Sequence, residues 1–155
     1  MTTRAERRSA PRTGRELRHR AREAAVQMLY QWEVGRSPMP DVTQTFWLYD
    51  QPTAESLEEA GRAFAEKLAT GVADTVGTLD PVIVEAAEHW RIERMNVMDR
   101  LILRLAVYEF LHEPATPSRV IINEALELAR TFSNDDSVRF VNGILDAIRR
   151  RLERA

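Results

Sequence analysis

The chain has 155 residues, 44% of them apolar and 30% charged, values that suit a single folded domain with one core and exclude a disordered protein. No apolar run approaches the roughly 20 residues that a membrane helix needs, and the absence of cysteine excludes disulfides and thiolate metal sites. The net charge of −2 hides a division: the first 22 residues hold eight arginines against Glu6 and Glu16, a charge of +6, which leaves −8 on the remaining 133. A basic arm on an acidic body points to an anionic partner for the arm and a basic protein for the body.

In chain order, residues 1–12 read as a flexible basic tail, and 13–155 as one helical domain. The opening MTTRAERRSAPRTGRE has no apolar stretch behind its charges, so it is not a secretory signal and a cytoplasmic location is expected. Thr13 and Glu16 have the spacing of a capping box, predicting a first helix that Gly35 stops. Leu17, Ala21, Ala24, Ala25, Met28 and Trp32 share its apolar face, with Arg15, Arg18 and Arg22 along one flank. Residues 37–52 form a connector with one short helix, and Phe46, Trp47, Leu48 and Tyr49 are expected to cover the core. A long helix over 54–76 follows. Leu79-Asp80-Pro81 is expected to interrupt it and to begin another helix over 81–90. A polar link at 91–96 leads to an amphipathic helix from Val97, stopped by Glu113-Pro114.

The last third, VIINEALELARTFSNDDSVRFVNGILDAI, carries two apolar stripes at helical spacing: Ile121, Ala125, Leu128, Phe132, then Val138, Val141, Leu145, Ile148. The polar break at 133–137 makes this a helical hairpin, with the cap of its second helix expected at Asp135 and Asp136 in the first turn. Gly143 is expected to mark close approach of another helix. No stretch alternates like a strand and no repeat is evident. The predicted fold is all-α, a bundle of six or seven helices packed around the hairpin.

Arginines in the first turns of a helix oppose its dipole, at a few tenths of a kcal/mol per exposed charge. Phosphates would reverse that cost and suit the guanidinium forks. Charge of this kind fits RNA, DNA or an anionic lipid, and a passive solvated tail accounts for it as well. Tyr30 and Phe140 read by default as core residues. Glu85, Glu88, Glu93 and Asp99 cluster around the link before the Val97 helix, either as a solvated face or as a docking surface. The histidines His19, His89 and His112 are scattered, without an HExxH pair, a cysteine nucleophile or a glycine-rich phosphate loop. Adjacent carboxylates such as Glu58 and Glu59 read as surface charge. Neither an enzyme nor a metal site is expected, and no cofactor is implied.

Three ordered blocks resemble one family. INEALELARTFSNDDSVRFVNGILD is similar to the C-terminal signature of the NusB transcription antitermination factors, DRLILRLAVYEF to the helix before it, and RHRAREAAVQMLY to the arginine-rich opening. The resemblance implies binding of single-stranded RNA of the boxA type, in which bases stack on aromatics while arginines follow the backbone. Matched residue by residue, Arg18, Arg20 and Arg22 fall on the arginine motif beside Arg15, with His19 at a position often held by arginine. Gln27, Tyr30, Asp136, Arg139 and Phe140 match RNA-facing positions, which reverses the default reading of Tyr30 and Phe140. The acidic side is where members bind the basic ribosomal protein NusE, and Asp99 matches an acidic position in that contact. The implied role is suppression of termination by RNA polymerase on ribosomal RNA operons. Some members are expected to form homodimers that bury the RNA face. NusB-like domains also precede the catalytic domain of ribosomal RNA cytosine methyltransferases, a reading that would make this chain a fragment. A helical scaffold with a passive basic tail is the third alternative.

Overall fold

The computed structural model describes residues 13–49, 57–88 and 90–154, with six α-helices, one 3-10 turn and, among the described residues, no strand. The all-α expectation is met; the basic tail up to residue 12 and the predicted helix start at 54 lie outside the described residues. The chain divides into two compact units, Met1–Thr70 and Gly71–Ala155.

In the first unit, α1 (Gly14–Glu33) begins where the capping residues place it, with Thr13 Oγ1 accepting the Glu16 N–H at 3.1 Å. Just past its end only glycine fits at position 35, where a Cβ would lie 2.6 Å from the Gln31 carbonyl oxygen. The left-handed residue of the stop is Arg36, at φ 55°. The connector contains α2 (Met39–Tyr49), which packs on α1 and buries Met39, Val42 and Phe46. Trp47 donates from its indole nitrogen to Glu66 Oε1 at 3.0 Å and lies under the Arg62 guanidinium. Leu48 and Tyr49 are exposed, against the expectation that the whole aromatic cluster covers the core.

Helix α3 (Glu59–Ala86) runs through Pro81, where the sequence predicts a break and a second helix to residue 90. Proline denies a hydrogen bond to the carbonyl one turn earlier, that of Gly77. Gly77, Thr78 and Pro81 are all exposed, so water can bond the freed oxygen, while Leu79 and Ile83 continue the buried stripe. The helix stops at Ala86, and Trp90 stands beyond it.

In the second unit, a 3-10 turn (Ile92–Arg94) leads to α4 (Val97–His112), capped by Asn96, whose Oδ1 accepts the Met98 N–H at 2.8 Å. Every residue from Leu101 to Phe110 is buried, Arg104 and Glu109 included, so α4 occupies the centre that the sequence assigns to the hairpin. The hairpin itself, α5 (Ser118–Phe132) and α6 (Asp135–Arg151), packs as a pair with both helices on α4. Its second helix is capped by Asn134, with Oδ1 accepting the Ser137 N–H at 2.9 Å, and both Asp135 and Asp136 fall in the first turn. The cap is thus one residue earlier than expected. Gly143 faces open space, with nothing within 4 Å of where a Cβ would stand, so it marks no helix crossing. Near the C-terminus, Arg154 donates to the carbonyls of Phe110 (3.1 Å) and Glu113 (2.8 Å) and to Ser118 Oγ (2.8 Å), tying the chain end to the α4–α5 connection.

Candidate nucleic-acid interface

The first set of predicted residues lies on α1. Arg15 and Arg18 are exposed, His19 and Arg20 half-buried, and His19 Nε2 sits 3.7 Å from Glu23 Oε1. Arg20 and Gln27 stand two helical turns apart on one face, and Tyr30, 43% exposed, continues it by another turn. The ring of Tyr30 is therefore available to a ligand, as the resemblance implies and periodicity alone does not. Oε1 of Gln27 is buried without a hydrogen-bond partner.

Arg22 does not belong to this surface. It is 1% exposed, with its guanidinium 5.7 Å from the centre of the Phe64 ring on α3. Val26 and Leu29, one and two turns further on, are buried along the same flank of α1. That apolar continuation in sequence was the signal that position 22 faces inward. A cation held against an aromatic face is a packing element here, and its charge is not offered to solvent.

The second set lies where α5 turns into α6. Asp136 and Arg139 are exposed and ion-paired with each other, so Asp136, relieved of capping by Asn134, is a surface carboxylate. Phe140 is half-buried and meets Trp90 edge to face, with ring centroids 5.6 Å apart and planes at 74°. Trp90, 54% exposed, is the residue that sequence reasoning missed by placing it at a helix end. Its signal was an aromatic followed by Arg91 and Arg94 directly after a helix stop.

The acidic residues separate into two environments. Glu85 and Glu88 are exposed and share Arg151, at 3.5 and 3.6 Å, and Glu93 is exposed on the 3-10 turn. Asp99 is only 6% exposed and stands apart from these exposed carboxylates. It lies instead at the α5–α6 junction, hydrogen-bonded by the Ser137 and Ser133 hydroxyls, which are themselves 2.6 Å apart.

Burial pushes the Asp99 carboxyl above its ordinary value of 3.8, and the two hydroxyls oppose that shift. The folded chain thus holds this proton more tightly than the unfolded chain does. The resulting stability is full below pH 3.8 and is lost as pH rises through the raised value. In urea titrations at a series of pH values, Asp99→Asn is expected to gain on the parent across the window just above 3.8 and then to hold a constant difference. A pH-independent difference would show that Asp99 titrates alike in both states.

Among the described residues no group of acidic or histidine side chains could hold a metal, and no helix is long and apolar enough to cross a membrane. Fold and site define a small all-α binding protein with a cationic first helix and an aromatic pair at the turn end of its C-terminal hairpin. The chain belongs to the NusB family, which its residues 19–150 match. It is 44% identical to the transcription antitermination protein NusB of Koribacter versatilis (strain Ellin345) over 136 residues, covering 88% of this chain and 90% of that one. Among solved structures, NusB of T. maritima superposes with a TM-score of 0.75 at 30% identity, covering 92% of this chain and 93% of the other. A crystal structure of NusB and NusE in complex with double-stranded RNA has the same fold, with a TM-score of 0.74 at 21% identity over 87% of this chain and 97% of that one.

Proposed function

We propose that the chain is an antitermination factor that binds a boxA-type single-stranded element of nascent ribosomal RNA, acts together with NusE, and is carried to RNA polymerase to suppress termination. The observation that carries this reading is the exposure of Tyr30 beside Arg20 and Gln27 on a helix that opens with exposed Arg15 and Arg18. An aromatic face with cations around it suits stacked bases on a phosphate backbone. Family membership supports the same assignment. Asp136, Arg139 and Phe140 supply further contacts from the start of α6. Glu85, Glu88 and Glu93 form the acidic face that meets NusE, where complementary charge steers the encounter. The protein works in the cytoplasm, without a cofactor and without a catalytic step. Where a homodimer forms it competes with RNA for the same residues, so added RNA is expected to lower the mass read by light scattering.

Fluorescence anisotropy with a boxA-like RNA and a scrambled RNA tests this. The boxA-like strand is expected to bind more tightly, and Tyr30→Ala to weaken it about tenfold, the loss of one stacked base, with helicity unchanged. Equal, purely salt-driven binding of both strands would overturn the reading.

A further inference from the structure

A cavity of about 440 Å³, within the size range of ligand sites, opens at the end of the hairpin away from its turn, between the first residues of α5 and Arg149 near the end of α6. We propose that it is a backbone clamp for RNA, in which Arg119 and Arg149 hold a phosphate of the strand flanking the boxA-type element whatever the base attached. This rests on the RNA-binding reading above and adds a contact that the reading does not include.

The local charge is the first reason. Arg119 is exposed and makes no ion pair among the described residues. Arg149 donates from Nη2 to Asp146 Oδ1 at 3.0 Å, which leaves the other donors of its fork for a ligand. Asp146 is shared, since Arg150 Nη2 lies 3.1 Å from its Oδ2, so one negative charge there stands against two positive ones. Among the described residues no carboxylate lines the cavity itself. Of the acids further along α5, Glu124 is buried and Glu127 is paired with Arg130. Residues 117–123 and 146–154 together hold five of the eleven arginines of the second unit and two of its fourteen carboxylates. A unit that is negative as a whole is therefore positive at this end, which complements phosphate.

The rest of the lining is the second reason. Pro117 and Ile122 are apolar, and Ser118 Oγ already accepts from Arg154 Nη1 at 2.8 Å. No aromatic ring lines the cavity among the described residues, so a base finds no platform to stack on. Asn123 is exposed and adds an amide donor of the kind that phosphate oxygens accept. Such a site suits the backbone of a strand, which it positions without reading its sequence. Arg149 follows Phe140 by nine residues on α6, an axial separation of about 13 Å. A strand held at Phe140 is thus within reach, and a second contact by a strand already bound needs little affinity of its own. An acidic peptide would have to bind here without that advantage, which favours RNA as the occupant.

The test compares binding of the full chain to a boxA-like RNA and to the same RNA extended by a short uridine run on its 5′ side or on its 3′ side. At low salt one of the extended strands is expected to bind about fivefold more tightly than the unextended one. Its affinity is also expected to fall more steeply with salt, by about 0.7 in the slope of log affinity on log salt for each phosphate held. Arg119→Glu, on an exposed side chain, is expected to remove both effects and leave the affinity of the unextended RNA unchanged. Arg119→Lys keeps the charge and is expected to keep most of the gain, and an adenosine run is expected to give the same gain as uridine. Equal binding of extended and unextended strands would overturn the proposal, as would a gain that survives Arg119→Glu or depends on the base. Binding of poly-L-glutamate that Arg119→Glu abolishes, with no gain from either extension, would assign the cavity to an acidic protein. Failure of the boxA-like RNA itself to bind would instead sink the RNA-binding reading.

Discussion

Replacing Asp80 with alanine is expected to lower the stability of the chain by about 3 kcal/mol, the low end of what removing one partner of a buried ion pair does. Asp80 Oδ1 accepts from Arg104 Nε at 2.8 Å and Oδ2 from Nη2 at 2.9 Å, a two-pronged pair between α3 and α4. The Arg104 side chain is 7% exposed, whereas that of Asp80 is 25% exposed. Removing the carboxylate therefore takes a two-pronged counter-charge from a cation in the most buried helix of the second unit. Chemical denaturation reads the loss directly. Adding Arg104→Met to Asp80→Ala is expected to recover most of it, since an apolar side chain of similar length needs no counter-charge. A loss no greater than the roughly 0.5 kcal/mol of a surface pair would show that the pair contributes little to holding α3 on α4.

Gly71→Ala is expected to destabilise the chain by about 2 kcal/mol through overpacking. A Cβ at position 71 would lie 2.5 Å from Cε2 of Tyr108 and closer still to Cζ and Oη. The Tyr108 ring cannot easily yield, because it is buried and stacked on His112 with centroids 4.7 Å apart. Either the ring leaves its rotamer or α3 moves off α4. The double substitution Gly71→Ala with Tyr108→Leu is expected to be less destabilising than the sum of its parts, as two changes sharing one space should be. Strict additivity in thermal or urea unfolding would show that residue 71 and the ring do not compete.

Much of the helix layout follows from local chemistry. Thr13 caps α1, Gly35 ends it, Asn96 and Glu113 bound α4, and the polar break at Ser133 and Asn134 divides the hairpin. Each of these signals acts within a few residues, through a side-chain oxygen, a steric limit or a missing donor, so the amino-acid order contains it in full. The exposed arginines Arg15 and Arg18 were legible in the same way, whereas spacing alone assigned Tyr30, 43% exposed, to the core.

Burial of charge was not legible, because it depends on partners far away in the chain. Pro81 reads as a helix break, yet α3 continues because Leu79 and Ile83 are buried on either side and Asp80 pairs with Arg104, 24 residues on. Arg22 reads as a surface cation and is taken inward by Phe64; Asp99 reads as a docking charge and is covered at the turn between α5 and α6. The order of residues by itself determined where the helices begin and end and that the first of them is cationic. Only the tertiary structure decided which charges meet water, since the free energy of an ionised group is set by what surrounds it and not by its neighbours in sequence.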